Sequence, residues 1–281
     1  MQNTFEYLVI GAGPAGIAAI AKLYGQGIRS IAWLDPEFKV GAFGTVLSTG
    51  SAVPGNTTVN SYRQVIQGIY AAIPSIPVKR HALDEIAHDK ACYLNIAREP
   101  FQYLSDELLS LVTSITGFAT ELLHTANGIT VIYQTADKTL QHFYAKRVIL
   151  AIGAAPKTLA LPEHITLIDP HVAFIASRVK TYLEQNPQLK KVAIIGSSHS
   201  AALACMQFLK AHIPVKQFMN KPYRFATPIT QPNGEVYVQF DNTGLKAEVA
   251  RYTRALLANP DPLWECTQTP FAASELTDVT H

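Results

Sequence analysis

The sequence carries little charge and contains no long hydrophobic run. Charged residues make up 16% of its 281 residues, and the formal net charge is +2. This balance is too close to neutral to indicate nucleic acid or a membrane surface as a partner. No apolar segment is long enough to span a bilayer, and no cationic region precedes the apolar N-terminus, as it would in a signal peptide. We therefore expect a globular protein with room for two domains.

Cysteine is also scarce. The three cysteines, Cys92, Cys205 and Cys266, lie far apart and form no C-x-x-C pair. This spacing indicates neither a disulfide framework nor a redox dithiol. Three scattered thiols fit the reducing cytoplasm, and we expect no metal site.

The first informative segment is "YLVIGAGPAGIAAIAKL", Tyr7 to Leu23. It contains an intact G-x-G-x-x-G between an apolar run typical of a strand and an alanine-rich helical stretch. In such a motif Gly11 permits a tight turn, Gly13 leaves room for a pyrophosphate, and Gly16 lets the helix pack close to the strand. A second predicted strand, "SIAWLD", ends at Asp35, where a carboxylate can accept hydrogen bonds from ribose hydroxyls. The complete context favours a dinucleotide site over a glycine-rich turn of another fold.

The same pattern recurs 185 positions later, since Gly11 falls on Gly196 in the segment "IIGSSHSAALACMQFLK". There, Ser198 and Ala201 take the places of the second and third glycines. Alanine is an accepted variant at the third position, and serine is small and has a hydroxyl that can bond a phosphate. Segments matching both strands of the first unit flank this turn, which indicates two βαβ units. A buried strand–turn–helix without a ligand is the alternative.

The residues that follow the second strand of each unit differ in charge. Asp35 corresponds to the neutral Asn220, which is followed by Lys221 and Arg224. A carboxylate repels a 2′-phosphate, whereas basic residues accommodate one. The second unit is therefore predicted to bind NADPH rather than NADH. The alternative is a solvated basic loop without a ligand.

A long loop is predicted over residues 36–60, and Val40 to Tyr62 contains no charged residue. Surface loops usually carry charge, so we expect this segment to line a flat, mostly apolar ring. Within it, Asn56 and Thr57 are candidates to hydrogen-bond such a ring or a nicotinamide. Packing of the segment against other parts of the protein is the alternative.

The remaining segments give a mixed pattern of helices and strands. Asn127-Gly128 lies between two alternating runs and predicts a hairpin, and "RVILAIGAAP" predicts a buried strand. Apolar periodicity predicts helices over Val59–Ala72, Glu99–Ser114, Val172–Glu184 and Leu245–Leu257, and "EVYVQF" is typical of a strand. The tail from Asn259 shows no clear pattern.

These residues together resemble the flavoproteins that have two dinucleotide-binding domains, with FAD in the first and NAD(P)H in the second. In that superfamily a strand ending in A-T-G-x-x-P crosses between the domains, and Ala151, Ile152, Gly153 and Pro156 take those places here. The second turn is most similar to that of the N-hydroxylating monooxygenases of lysine and ornithine, with His199 in place of a glutamine. The resemblance implies an α/β fold with two Rossmann-like three-layer domains, the first with an inserted β-meander.

The resemblance also implies domain limits and ligand residues. Residues 1–155 are expected to form the FAD domain, with 235–281 as a candidate to complete it, and residues 156–234 a short NAD(P)H domain. The expected FAD residues are Gly11, Gly13, Pro14, Ala15, Gly16, Asp35, Asn56, Thr57, Gly153 and Asp241. The expected NADPH residues are Gly196, Ser197, Ser198, His199, Ser200, Ala201, Lys221 and Arg224. For His199, a helix-capping or solvent-facing position is the alternative.

The resulting hypothesis is an FAD-dependent oxidoreductase that NADPH reduces. With no redox dithiol, electrons are expected to pass to oxygen or to a small-molecule substrate, and the resemblance implies a monooxygenase-like reaction. Only about sixty residues follow Asn220, which motivates the alternative of a truncated, non-catalytic FAD/NADPH-binding scaffold or sensor. A plain NADP-dependent dehydrogenase needs one nucleotide site and is disfavoured by the second turn. No residue pattern identifies the substrate or a catalytic acid or base.

Overall fold

A computed structural model describes residues 4–45, 53–154, 161 and 165–268. Within them the chain alternates strands and helices, with one short 3-10 turn at Ala82–Glu85. In chain order the elements are β1 (Thr4–Ile10), α1 (Pro14–Gly25), β2 (Ile31–Asp35), α2 (Gly41–Thr45), β3 (Pro54–Thr58), α3 (Val59–Ala72), β4 (Ala91–Tyr93), α4 (Leu94–Leu109), β5 (Thr113–Thr116), β6 (Phe118–Thr125), β7 (Gly128–Gln134), β8 (Leu140–Leu150), α5 (Pro170–Ala173), α6 (Ala176–Gln185), β9 (Val192–Ile195), α7 (His199–Lys210), β10 (Val215–Phe218), β11 (Thr227–Thr230), β12 (Val236–Gln239), α8 (Ala247–Ala258) and β13 (Trp264–Thr267).

The chain folds into two compact units, and the second includes two short segments from the first third of the chain. The first unit comprises Met1–Thr49, Val59–Asp89 and Leu94–Ala155. The second comprises Gly50–Thr58, Lys90–Tyr93 and Pro156–His281. The short strands β3 and β4, which pair with each other in antiparallel fashion, therefore belong to the second unit although they come early in the chain.

The first unit is built around a six-stranded sheet in the order β5-β2-β1-β8-β7-β6. Its four strands β5, β2, β1 and β8 run parallel, and β8, β7 and β6 form an antiparallel meander. Leu8, Val9, Trp33 and Leu34 are fully buried on β1 and β2, as expected of parallel strands covered on both faces. The predicted α/β fold with an inserted β-meander is confirmed.

The helices of the first unit bury one stripe each. On α4 the buried residues Ala97, Phe101, Leu104 and Leu108 follow the helical repeat. Helix α1 begins at Pro14, a position where the missing N–H of proline costs nothing, and it packs on α3 and α4. The predicted helix Val59–Ala72 is confirmed, whereas α4 begins and ends earlier than the predicted Glu99–Ser114.

The second unit contains a three-stranded parallel sheet in the order β13-β10-β9 and the antiparallel hairpin β11–β12. Helix α7 is buried from Ala201 to Leu209 and packs against α5, α8 and both flanking strands, β9 and β10. Burial on every side is typical of a helix at the centre of a unit rather than at its surface.

Residues 235–268 differ from their predicted place. They were a candidate to complete the first unit, but β12, α8 and β13 lie in the second. The physical reason is that β10 has a free edge that β13 fills, pairing Val215 with Trp264 and Phe218 with Thr267. The apolar stripe of α8, including Val249 and Leu256, then packs in the second unit, where α8 contacts α7.

The predicted loop over residues 36–60 also contains regular structure, namely α2, β3 and the start of α3. Residues 46–52 of this segment lie outside the described residues. Among the described residues, no helix combines the length and apolar character that a membrane crossing requires. Nor does this part of the chain gather three or more His, Cys, Asp or Glu side chains where they would hold a metal ion.

Candidate functional site

The first turn uses two of its glycines to pack against its own unit. Gly11 has φ +102°, and a Cβ there would lie 2.4 Å from the carbonyl oxygen of Ala151 on the neighbouring strand's end. A Cβ on Gly16 would lie 1.9 Å from the carbonyl oxygen of Gly11. Both distances are far below any real contact, so a side chain at either position would force the turn apart. These two glycines are therefore explained by the fold itself.

Gly13 is different, because the fold does not require it. Its φ of −71° and ψ of 176° are open to any residue. A Cβ there would meet nothing closer than the carbonyl oxygen of Val40, at 4.0 Å. The space beside Gly13 is thus open, at the N-cap of α1, whose first turn holds no acidic residue. A free helix N-terminus beside an open backbone position fits the approach of a phosphate group.

Buried side chains from β2 fix the first turn in place. The Asp35 carboxylate is 6% exposed and accepts N–H bonds from Ala12, at 2.7 Å, and from Glu37 and Phe38, at 2.9 and 2.7 Å. The indole Nε1 of Trp33 donates to the carbonyl oxygen of Gly11 at 3.0 Å. Asp35 therefore stands where the sequence predicted it, and it also clamps the turn to the strand. Ribose binding by its remaining lone pairs stays a prediction.

The segment that faces Gly13 holds a strained backbone. Phe38, Val40 and Gly41 have φ values of +53°, +61° and +57°. Val40 is fully buried, and a β-branched residue in this region is a costly outlier. A Cβ on Gly41 would come within 3.3 Å of the Cα of Gly13, so this segment forms the wall opposite the turn. Backbone strain next to an open glycine supports a ligand site here.

The second turn repeats the backbone of the first. Gly196 has φ +120°, and Ser198 has φ −85° and ψ 179°, close to the values at Gly13. A Cβ built on Gly196 would lie at an ordinary 3.6 Å from the Cβ of Ala201. The second turn therefore has room for the alanine that replaces the third glycine of the motif. The Ser198 hydroxyl does not cap α7, and the first turn of α7 holds no acidic residue. A serine is therefore compatible with a phosphate-binding turn.

The imidazole of His199, the first residue of α7, forms a hydrogen bond with β3 rather than with its own helix. Its Nε2 lies 3.1 Å from the carbonyl oxygen of Pro54 on β3. Because a carbonyl only accepts, Nε2 carries the proton of the neutral ring. Nδ1 is left as an acceptor with no hydrogen-bond partner among the described residues. Burial lowers the pKa of His199, and the nearby positive charge of Lys246 lowers it further, against the Pro54 bond that raises it.

We expect this lowered pKa to make the protein less stable in mild acid. Above the ordinary histidine pKa of 6.5 the contribution of neutral His199 is fully present, and it is lost as the pH falls towards the lower folded-state pKa. Replacing His199→Gln should therefore reduce the drop in melting temperature between pH 7.5 and pH 5.0. His142→Gln, on an exposed part of β8, is the control. An unchanged drop in the His199 variant would contradict this assignment.

The basic residues after β10 lie at the surface. Asn220, Lys221 and Arg224 are exposed, and the Arg224 guanidinium stands 5.0 Å above the ring of Phe240. This stacking holds Arg224 near the end of β12. The Lys221 side chain is exposed to solvent. Both cations are thus available to an anion that approaches this edge of the second unit.

Three of the predicted FAD residues belong to the second unit. The Asn56 amide donates to the carbonyl oxygen of Gly244 at 3.0 Å and accepts from the Lys246 N–H at 2.9 Å, so it ties β3 to the start of α8. Thr57 is exposed. Asp241 lies on the turn after β12, with its carboxylate 3.4 Å from the Lys246 ammonium. Asp241 therefore lies in the second unit and not in the first, where the candidate return would have placed it.

Gly153 follows β8 in the first unit, with φ +69° and open space around it. Sequence reasoning missed the side chains that hold the turns. Trp33 on β2, and Gln217 on β10 with its partners Tyr223 and Trp264, carry no motif. Their only signal in the sequence is a position on a strand next to a glycine turn.

Two glycine turns, each between a parallel strand and a helix, define a protein with two dinucleotide-binding folds. A family model, pyridine nucleotide-disulphide oxidoreductase, matches residues 5–231. The chain belongs to this family of oxidoreductases.

Among curated proteins, the chain is similar to monooxygenase AgnR1 of Paecilomyces divaricatus, with 29% identity over 271 residues that cover 89% of this chain and 67% of the relative. Among solved structures, it is similar in fold to bacillithiol disulfide reductase from Bacillus cereus, with a TM-score of 0.60, 14% identity, and coverage of 94% and 67%. It is also similar in fold to Kutzneria sp. 744 ornithine N-hydroxylase with reduced FAD, NADP+ and L-ornithine, with a TM-score of 0.59, 14% identity, and coverage of 94% and 71%.

The chain thus spans about two thirds of the length of these relatives. The predicted resemblance to the FAD/NAD(P)-binding oxidoreductases is confirmed by the family match, and the likeness to an ornithine N-hydroxylase is one of fold. The predicted α/β fold with Rossmann-like domains is confirmed with it.

Proposed function

We propose that the first unit binds FAD at the turn from Gly11 to Gly16. The open space beside Gly13, the free N-terminus of α1 and the strained wall at Val40 support this assignment. Ala15 and Gly16 would offer backbone N–H groups of the first helical turn to the pyrophosphate, and Pro14, which has no N–H, would fix the start of the helix. Gly153, which follows β8 in the same unit, is a further candidate. Asp35 would hold the turn and accept from the ribose. The ornithine N-hydroxylase of similar fold carries FAD, which favours this nucleotide.

We propose that the second unit binds NADPH at the turn from Gly196 to Ala201. Its backbone matches the first turn, and the Ser198 hydroxyl and the N-terminus of α7 would receive the pyrophosphate. Ser197 and Ser200 flank that position. Lys221 and Arg224 would pair with the 2′-phosphate, since no acidic residue stands at Asn220 to repel it.

The proposed activity is reduction of FAD by NADPH, followed by a monooxygenase-like reaction on a small molecule. When bound, FAD would supply hydride acceptance and electron transfer to oxygen or substrate. The chain itself contributes binding and orientation through its two turns. All three cysteines are free, and burial raises the pKa of Cys205 to about 12 and also raises the pKa of Cys266, which disfavours the thiolate that disulfide exchange requires. Free thiols also fit the cytoplasm, where we propose that the protein acts.

One observation carries this proposal: the two turns share a backbone conformation, and at Gly13 the fold leaves space that its own packing does not use. We expect the purified protein to be yellow, with the two absorbance bands of an oxidised flavin. Adding NADPH under anaerobic conditions should bleach the long-wavelength band. Readmitting air should restore it, because reduced flavin passes its electrons to oxygen.

The outcomes of this experiment separate the alternatives. A yellow protein that NADPH never bleaches would favour the non-catalytic scaffold over the enzyme. A colourless protein that also takes up no added FAD would contradict the assignment of the first turn. If reduction by NADPH is seen, its coupling to substrate can be followed as NADPH consumption against product formed from candidate small amines or other nucleophiles.

A further inference from the structure

The side chain of Gln217 on β10 is fully buried and every polar atom of its amide has a partner. Nε2 donates to the carbonyl oxygen of Gly196 at 2.8 Å. The Tyr223 hydroxyl lies 2.6 Å from Nε2 and 2.9 Å from Oε1. The indole Nε1 of Trp264 on β13 donates to Oε1 at 3.0 Å. A polar group at this depth is stable only because all of its bonds are made.

The partners leave the amide one orientation. The Gly196 carbonyl can only accept and the Trp264 indole N–H can only donate, so Nε2 must face Gly196 and Oε1 must face Trp264. Burial raises the pKa of the Tyr223 hydroxyl, which keeps it neutral and able to bridge the two amide atoms. Gln217 is therefore rigidly aimed at the turn.

The first unit uses a different residue for the same contact. There, Trp33 on β2 donates to the carbonyl oxygen of Gly11, the residue that corresponds to Gly196. The N–H groups of the two glycines are also bonded alike, from Gly11 to Leu34 at 2.8 Å and from Gly196 to Phe218 at 2.8 Å. In both units, a side chain from the second strand thus fixes the carbonyl of the first glycine.

We propose that Gln217 is a positioning residue for the nicotinamide nucleotide, which rests on the proposed NADPH site. The N–H of Gly196 is bonded to the Phe218 carbonyl and the Gly196 carbonyl to Gln217, so the peptide groups on both sides of Gly196 are held to β10. The N–H groups that follow it then stay turned towards the pyrophosphate.

We expect Gln217→Met to weaken NADPH and NADH about equally, each roughly tenfold, the effect of one lost hydrogen bond. The pyrophosphate is common to both nucleotides, so their affinity ratio should stay at the wild-type value. Dissociation constants of both nucleotides, measured on the FAD-loaded protein, provide the test. An affinity of the variant within twofold of the wild type would overturn the proposal, whereas a wild type that binds neither nucleotide would remove the NADPH site itself.

Gln217→Glu separates positioning from packing, because its size is unchanged. An ionised carboxylate would face the Gly196 carbonyl with no proton to donate, but a protonated one would restore the bond. We expect NADPH binding of this variant to recover towards wild type as the pH is lowered from 8.5 to 6.0, relative to wild type at each pH. A parallel loss at both pH values would overturn the proposal.

Two further variants keep the proposal testable if Gln217 variants fold poorly. Trp264→Phe leaves the Gly196 bond intact but frees the amide to turn, so both nucleotides should weaken by a smaller, equal factor. Trp33→Phe removes the matching bond in the first unit and should lower FAD retention, not NADH or NADPH affinity. If Trp264→Phe leaves both affinities unchanged, or if Trp33→Phe weakens the nicotinamide nucleotides instead, Gln217 does not act as proposed.

Discussion

Gly13→Val should fold like the wild type and purify colourless, with less than about one tenth of the wild-type FAD content. The structure makes this separation possible. Valine suits the backbone at Gly13, and its Cβ would make an ordinary contact with the Val40 carbonyl oxygen at 4.0 Å. The branched side chain would instead fill the space beside the helix N-terminus, where a pyrophosphate needs to approach the backbone.

Substitutions of two other glycines, Gly68 and Gly16, serve as controls. Gly68→Val places the same side chain on α3, where nothing lies within 4 Å, and should retain FAD. Gly16→Val drives a Cβ into the Gly11 carbonyl and should lose the fold as well as the flavin. Flavin absorbance per protein and far-UV circular dichroism measure the two effects. A Gly13→Val protein as yellow as the wild type would remove FAD from this turn.

The glycine turns could be predicted from the sequence because their signal is local. Each turn needs a positive φ or a close approach at fixed spacing, and the structure shows Gly11 and Gly196 with φ above +100°. The helix Val59–Ala72 was equally accessible, since its apolar period is unbroken. The start of α4 was not, because Pro100 lies inside the helix, where a proline usually marks a first turn.

Partners far apart in the chain could not be predicted. Strand β13 arises from a tail with no clear pattern, because its place is set by the free edge of β10 rather than by its own four residues. Gln217 meets Trp264 across 47 positions, and no spacing announces such a pair. The same is true of Asn56, whose amide is used by Gly244 and Lys246 nearly two hundred positions later.

The electrostatic difference between the two units was visible in sequence, but its geometry was not. The Asp35 carboxylate is buried and accepts three backbone N–H bonds, so its negative charge is stabilised within the first turn. Asn220, at the matching position, is exposed and neutral, and it has no such clamp in the described structure. The second unit fixes its turn with the uncharged Gln217 instead. Loss of the acid thus leaves the edge of the second unit positive without loosening the turn.

This positive edge leads to the second large expected effect: Lys221→Ala combined with Arg224→Ala should weaken NADPH by about ten- to a hundredfold or more. A charge-assisted hydrogen bond to phosphate contributes about 1.5–3 kcal/mol, and each 1.4 kcal/mol is a factor of ten in affinity. NADH lacks the 2′-phosphate and should bind the variant as it binds the wild type. Lys221 and Arg224 are both exposed, which makes the substitutions tolerable for the fold.

Dissociation constants of both nucleotides, at two salt concentrations, measure this preference. Because the bonds are ionic, the wild-type advantage for NADPH should shrink as salt rises, and the double variant should show no such dependence. Lys180→Ala with Lys190→Ala removes the same charge from exposed positions elsewhere in the second unit and should leave the ratio intact. Equal losses for the two nucleotides in the Lys221 and Arg224 variant would show that these residues support the turn rather than select the 2′-phosphate, and an unchanged NADPH affinity would return them to a solvated basic loop.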